Sequence, residues 1–126
     1  MRAIPRNLDE PTGDPRTAHL PPLRQHYIKD VETRLPALED ELRAAGESEE
    51  RIARAMHALR REIGEEYKNL TPEAERHKIY GRNIEKYGDP LGPSFQLLRD
   101  QGKTYAQIIE SAKRVGGADF GWNPKK

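Results

Sequence analysis

Ile52, Met56, Leu59, Ile63 and Tyr67 recur at steps of three and four, the spacing that lays one apolar stripe along one side of an α-helix. Ser48 stands ahead of the stripe as an N-cap, and Glu49 and Glu50 fall in the positive first turn. A second stripe, Tyr27, Val31, Leu35, Leu38, Leu42 and Ala45, follows Leu23 and stops at Gly46. Pro36 interrupts this stripe without shifting its register. An internal proline removes one hydrogen bond and costs about 3 kcal/mol, so the unbroken register predicts a kink rather than two helices. Only a few residues separate Gly46 from Ile52, and the two helices are expected to fold back as an antiparallel hairpin over residues 23–70.

Beyond the hairpin the signals come closer together. Thr71-Pro72 reads as a capping hydroxyl followed by proline at the first helical position, opening a helix through Tyr80 and Ile84 to Tyr87, with Gly88 as its stop. Ser94 to Gln101 predicts a short helix carrying Phe95, Leu97 and Leu98, closed by Gly102. Thr104 and Gln107 have the spacing of a capping box, and Ile108, Ile109 and Ala112 extend that helix to about Val115. Gly116-Gly117 ends it, and Phe120, Trp122 and Pro124 suggest a tail that folds back through its aromatics. No stretch alternates at period two, so the expected fold class is all-α, a small bundle of about five helices in one domain over residues 23–126.

The hydrophobic and charged fractions are both 34%, which leaves a modest core for 126 residues. The stretch expected to pack least is Met1 to Pro22, where Pro5, Pro11, Pro15, Pro21 and Pro22 lie among charges of both signs with no apolar period. It reads as an extended or disordered arm. With 22 basic and 21 acidic residues the net charge is +1, so attraction to nucleic acid has to be local. The chain has no cysteine, which excludes disulfides, thiolate metal sites and a cysteine nucleophile. No segment has the length of a membrane span, and the N-terminus lacks the apolar core of a signal peptide.

Three constellations bear on chemistry. His19, His26, His57 and His77 include no pair three or four apart, so a helical metal site is not expected. His57 borders the apolar stripe of the second helix, where it is either a packing residue or an acid–base group. Arg51, Arg54, Arg60, Arg61, Lys68, Arg76, Lys78 and Arg82 form a basic run that suits phosphate. Glutamates such as Glu50, four residues before Arg54, argue instead for a solvated mixed-charge face. The third group is Arg82, Asn83, Asp89, Lys103, Ser111 and Arg114. Folded into one cleft, it offers Asp89 as a base and the cations as stabilisers of negative charge. Scattered, its members become caps and helix-end charges.

Asp89 sits in Tyr87-Gly88-Asp89-Pro90-Leu91-Gly92-Pro93, a connection so rich in glycine and proline that it should hold one shape. Together with Arg82-Asn83, Gly102-Lys103 and Ile108-Ile109-Glu110-Ser111-Ala112-Lys113-Arg114, then Gly116-Gly117 and Asp119, this run resembles C-terminal toxin domains of bacterial polymorphic toxin systems, of the Rhs-type and related secreted effectors. The likeness covers about Tyr67 to Trp122 and sets residues 71–122 apart as a motif region. It implies an antibacterial effector, often an enzyme acting on nucleic acid or another phosphate-bearing target, made in the producer's cytoplasm. A specialised secretion route with its carrier or adaptor would deliver it, and a cognate immunity protein would neutralise it. The resemblance leaves any cofactor open. The chain begins at its own methionine without a delivery domain, which departs from a usual toxin tip. The reading of a different class is a non-enzymatic helical binding module, an adaptor or immunity-like protein, docking through its long first helix.

Overall fold

The structure is a computed structural model that describes residues 8 and 10–115. Five helices follow in order: α1 (Pro22–Ala44), α2 (Glu49–Lys68), α3 (Glu73–Tyr87), α4 (Phe95–Asp100) and α5 (Tyr105–Lys113), with no strand among the described residues. The fold is all-α as the periodicity predicts. The expectations for Pro5, for the Gly116-Gly117 stop and for Phe120, Trp122 and Pro124 lie outside the described residues.

α1 and α2 run antiparallel. Arg43 meets Glu49 beside the joint at 3.1 Å, and at the far end Tyr67 donates to Asp30 at 3.0 Å and Arg60 donates to the Tyr27 hydroxyl at 3.1 Å. Pro36 lies inside a single continuous α1. The predicted stripes make the core: Val31 and Leu35 of α1 and Ile52, Met56, Ile63 and Tyr67 of α2 are buried, together with Ile28, which interleaves with the α1 stripe. α5 closes the third side with Ile108, Ile109 and Ala112, followed by Val115. Lys113 ties α5 to α1 through Glu39 at 2.8 Å. That pair, helped by Arg43, holds the Glu39 carboxyl below its ordinary pKa.

Within the described residues, part of the stretch expected to be an extended or disordered arm is folded. From Thr12 onward it is folded against α1 around the buried amide of Gln25. The Gln25 oxygen accepts from the Thr12 amide at 3.1 Å, and its nitrogen donates to the Leu20 carbonyl at 2.7 Å. A buried amide is costly unless its donors and acceptors are used, and here the arm supplies those partners. A 3-10 turn at Pro15–Thr17, capped by Asp14, buries Thr17 and delivers Leu20 to the core. Arg16 adds an ion pair to Glu32 of α1 at 2.6 Å. Pro15 opens this turn, Pro21 is the N-cap of α1 and Pro22 takes its first position.

α3 is the exception. Its fifteen residues include none that is buried, and Ile84 is 52% exposed, with Leu70 ahead of the helix at 42%. The Thr71 hydroxyl does not cap it, contrary to expectation: it donates back to the Tyr67 carbonyl at 2.9 Å, and Pro72 is the N-cap, without a side-chain bond. The back-bond gives this carbonyl at the end of α2, which also accepts from the Leu70 amide at 3.1 Å, a further donor. Gly88 stops α3 in the left-handed region at φ 74°, as its position predicts.

Ile63→Ala should therefore lower unfolding free energy in urea by about 2–5 kcal/mol, whereas Ile84→Ala should change it by less than about 0.5 kcal/mol. Equal losses at the two positions would contradict this division.

Candidate functional site

The connection from α3 to α4 is fastened to α2 by one side chain. Arg61 donates to both carboxylate oxygens of Asp89, at 3.2 and 3.1 Å, and to the carbonyls of Gly92 and Pro93, at 3.3 and 3.0 Å. Asp89 also accepts from the Leu91 amide at 2.9 Å, and its own carbonyl accepts from the Gly92 amide at 3.1 Å. Gly92 takes φ 106° to make that closure, a conformation that an L side chain rarely adopts. Asn83, on the last turns of α3, donates to the Pro90 carbonyl at 2.8 Å. The run therefore holds one shape, and its acid is spent on holding it.

The Leu91 amide, followed by the Arg61 guanidinium, holds the Asp89 carboxyl below its ordinary pKa, against the opposing effect of partial burial. An acid so stabilised as carboxylate is a weak acceptor of a proton at neutral pH. Its geometry is that of a clamp.

The six residues expected to share a cleft divide three ways. Asn83 and Asp89 fix the connection. Arg82 is exposed on α3. Lys103, Ser111 and Arg114 do come together, lining a groove of about 360 Å³ with Leu98, Gln107 and Glu110. The Ser111 hydroxyl donates to the Ile108 carbonyl at 3.2 Å, and Glu110 pairs with Lys113 at 3.0 Å. The groove thus holds two cations and a hydroxyl engaged with its own helix.

A second groove, of about 380 Å³, opens where α4 meets α2, lined by Arg54, His57, Arg61, Glu62, Leu91 and Phe95 among others. Phe95 is central to it: the Arg54 guanidinium lies 4.5 Å from its centroid, and the His57 ring faces it at 5.9 Å. The Phe95 ring also stacks on Tyr105 at 6.4 Å, which in turn carries Arg99 at 4.0 Å. His57 is half-buried, and its Nε2 is buried with no hydrogen-bond partner. Burial and then the neighbouring charges of Arg61 and Arg60 push the imidazole below its ordinary pKa, although the Pro93 carbonyl acts the other way. His57 is therefore neutral at pH 7, packed against a ring, as its place beside the apolar stripe suggests.

Sequence reasoning placed Arg60 and Arg61 only in the basic run, as phosphate-suited or solvated charges, and missed their role as anchors. Arg60 donates to the carbonyls of Ser111, Ala112 and Arg114, at 3.2, 3.0 and 3.2 Å, and so covers the negative C-terminus of α5. Their available signal was adjacency at the edge of the α2 stripe, which was masked by the surrounding glutamates. Those glutamates do pair along the helix: Arg54 with Glu50 at 3.0 Å and Arg51 with Glu47 at 2.7 Å. No group of three or more acids and histidines suited to a metal occurs among the described residues, nor is any described helix long and apolar enough to cross a membrane.

Acid titration separates the two grips. Folding favours neutral His57, so its contribution is complete above the unfolded imidazole pKa of about 6.5 and is lost as pH falls through the lower folded value. Asp89, depressed likewise, loses its contribution only as pH falls from about 4 through its own folded value. Urea unfolding from pH 8 to 3 should show a first decline below about 6.5 that is absent in His57→Met, and an unchanged decline in that variant would contradict the assignment. Comparisons of the chain with protein-family models, curated proteins and solved structures gave no match, so the toxin resemblance rests on the quoted residues alone.

Proposed function

We propose that the chain is a non-enzymatic helical binding module whose recognition element is α3. The observation that carries this reading is a fifteen-residue helix with no buried residue. Apolar residues of α1, the helix expected from sequence to dock a partner, are instead buried in the protein's own core. Along α3, Ala74, His77, Gly81 and Ile84 are all exposed and follow one another at steps of three and four, which places them on one side, and exposed Leu70 precedes the helix. Alanine and glycine between the apolar residues allow another backbone to approach. Exposed Glu73, Lys78, Glu85 and Lys86 flank them. The partner that fits is a protein with a shallow apolar groove and charges of both signs on its rim, the helix-in-groove mode.

A photo-crosslinking residue placed at Ile84 should give an adduct with one defined protein, absent when it is placed at exposed Glu41 of α1. The purified partner should bind the parent chain and lose at least about tenfold in affinity for Leu70→Ser/Ile84→Ser, a change of about 1.4 kcal/mol. Identical adducts from both positions, or undiminished binding by the double variant, would count against α3.

A second reading has one observation in its favour, the groove that gathers Lys103, Ser111 and Arg114. On it the chain is an antibacterial effector acting on nucleic acid or another phosphate-bearing target, restrained by an immunity protein. Asp89 does not line this groove, so proton transfer there would fall to Glu110. Growth arrest on induced expression in bacteria, relieved by Lys103→Ala/Arg114→Ala at equal protein level, is the expected result. Normal growth at full expression counts against it.

A further inference from the structure

Gly81 stands in the interior of α3, where a glycine weakens a helix relative to alanine. Among the described residues nothing in the chain's own fold asks for it. A Cβ built at Gly81 would meet no atom within 4 Å, and its backbone is not in the left-handed region. The residues by which α3 lies against the protein are the half-buried Arg76, Ile79, Tyr80, Asn83 and Tyr87, with Asn83 bonded to the Pro90 carbonyl at 2.8 Å. Gly81 belongs instead to the side turned to solvent, with Ala74, His77 and Ile84. A glycine on such a side suits the close approach of a backbone from outside the chain.

The spacing of the four residues says which backbone fits. Their steps are three, four and three, the same read from either end. An identical helix laid antiparallel, about a two-fold axis level with Ile79, therefore sets Ala74 against Ile84 and His77 against Gly81, and repeats both contacts across the axis. Each larger side chain meets a methyl or a bare backbone. A parallel pair would set Gly81 on Gly81 and Ile84 on Ile84, with a gap at one level and crowding at the other. Charge agrees with the antiparallel choice. Glu73 and Glu75 occupy the first turn of α3 and Lys86 the last, so opposite ends bring acids to a base and set the helix dipoles head to tail. Exposed Lys78 and Glu85 each follow a stripe residue, the flank on which antiparallel helices exchange ion pairs, Lys78 of each copy with Glu85 of the other.

We propose that in the free protein the exposed side of α3 is covered by α3 of a second copy, in an antiparallel two-fold pair. The inference rests on α3 being the recognition element, and it names the partner of that element when no grooved protein is present. Four stripe residues per copy fall well short of the about 20–30 residues that each side of a stable complex contributes. The pair is therefore reversible, forming as concentration rises.

The test is sedimentation equilibrium of the full chain from about 10 µM to 1 mM, where conversion of monomer to dimer is expected. Gly81→Lys should weaken the dimer by about tenfold or more. Its own fold has room for the side chain, so melting at a concentration where the parent is monomeric should be no lower than the parent's. Lys78→Glu should weaken the dimer as well, and Lys78→Glu/Glu85→Lys should restore it. The chain has no cysteine, so oxidising an equimolar mixture of Ala74→Cys and Ile84→Cys should give the mixed disulfide dimer in excess over what either variant gives alone. A monomer across the whole range, undiminished association of folded Gly81→Lys, or equally ready cross-linking of Ala74→Cys to itself would overturn the pair. A monomer that still cross-links from Ile84 to a different protein would overturn the pair alone and leave α3 as the recognition element.

Discussion

Two neighbouring arginines on α2 fasten the end of α5 and the connection before α4. Successive residues on a helix point about 100° apart, so Arg60 and Arg61 reach in different directions from one place. Arg60 gathers three carbonyls at the end of α5, and Arg61 gathers two carbonyls and the Asp89 carboxylate in the connection before α4. Charge-assisted bonds of this kind are stronger than those between neutral groups, and each ties down groups distant in the sequence. α2 is therefore central in two senses: its apolar stripe is buried against α1 and α5, and its polar edge anchors the loops.

That arrangement governs how the chemistry-bearing residues are distributed. Asp89 cannot both balance Arg61 and stand ready to accept a proton at neutral pH. His57 is squeezed between the same arginines and Phe95, which favours its neutral form. What remains for outside contact lies away from the clamp: the exposed side of α3 and the groove with Lys103, Ser111 and Arg114. Protein recognition through α3 fits this distribution better than a single catalytic cleft does.

The helices and most of the core were legible because spacing and caps are local information. Ser48, Ser94 and Thr104 each cap the helix they precede, and the α2 stripe is buried at Ile52, Met56, Ile63 and Tyr67. Gln25 shows where such reading stops. A polar residue is buried there because Thr12 and the Leu20 carbonyl meet its amide, a contact between segments that no periodicity encodes. Thr71 shows a second limit, since its hydroxyl donates to the Tyr67 carbonyl behind it and does not accept from the amides ahead. For the site, the rigidity of Tyr87–Pro93 was visible in its glycines and prolines, but the partner that occupies Asp89 lies 28 positions earlier. Convergence of polar residues is a property of the packing, and the packing gathers Lys103, Ser111 and Arg114 but leaves Arg82, Asn83 and Asp89 outside that groove.

Backbone hydrogen exchange, read residue by residue in Arg60→Met and Arg61→Met, addresses the role of the two arginines most directly. Arg61→Met should speed exchange of the Leu91 and Gly92 amides while leaving α5 protected, and Arg60→Met should speed exchange in the last turn of α5 while leaving the connection protected. Unchanged protection in both segments, or the same global loosening in both variants, would contradict a structure in which each arginine fastens its own segment.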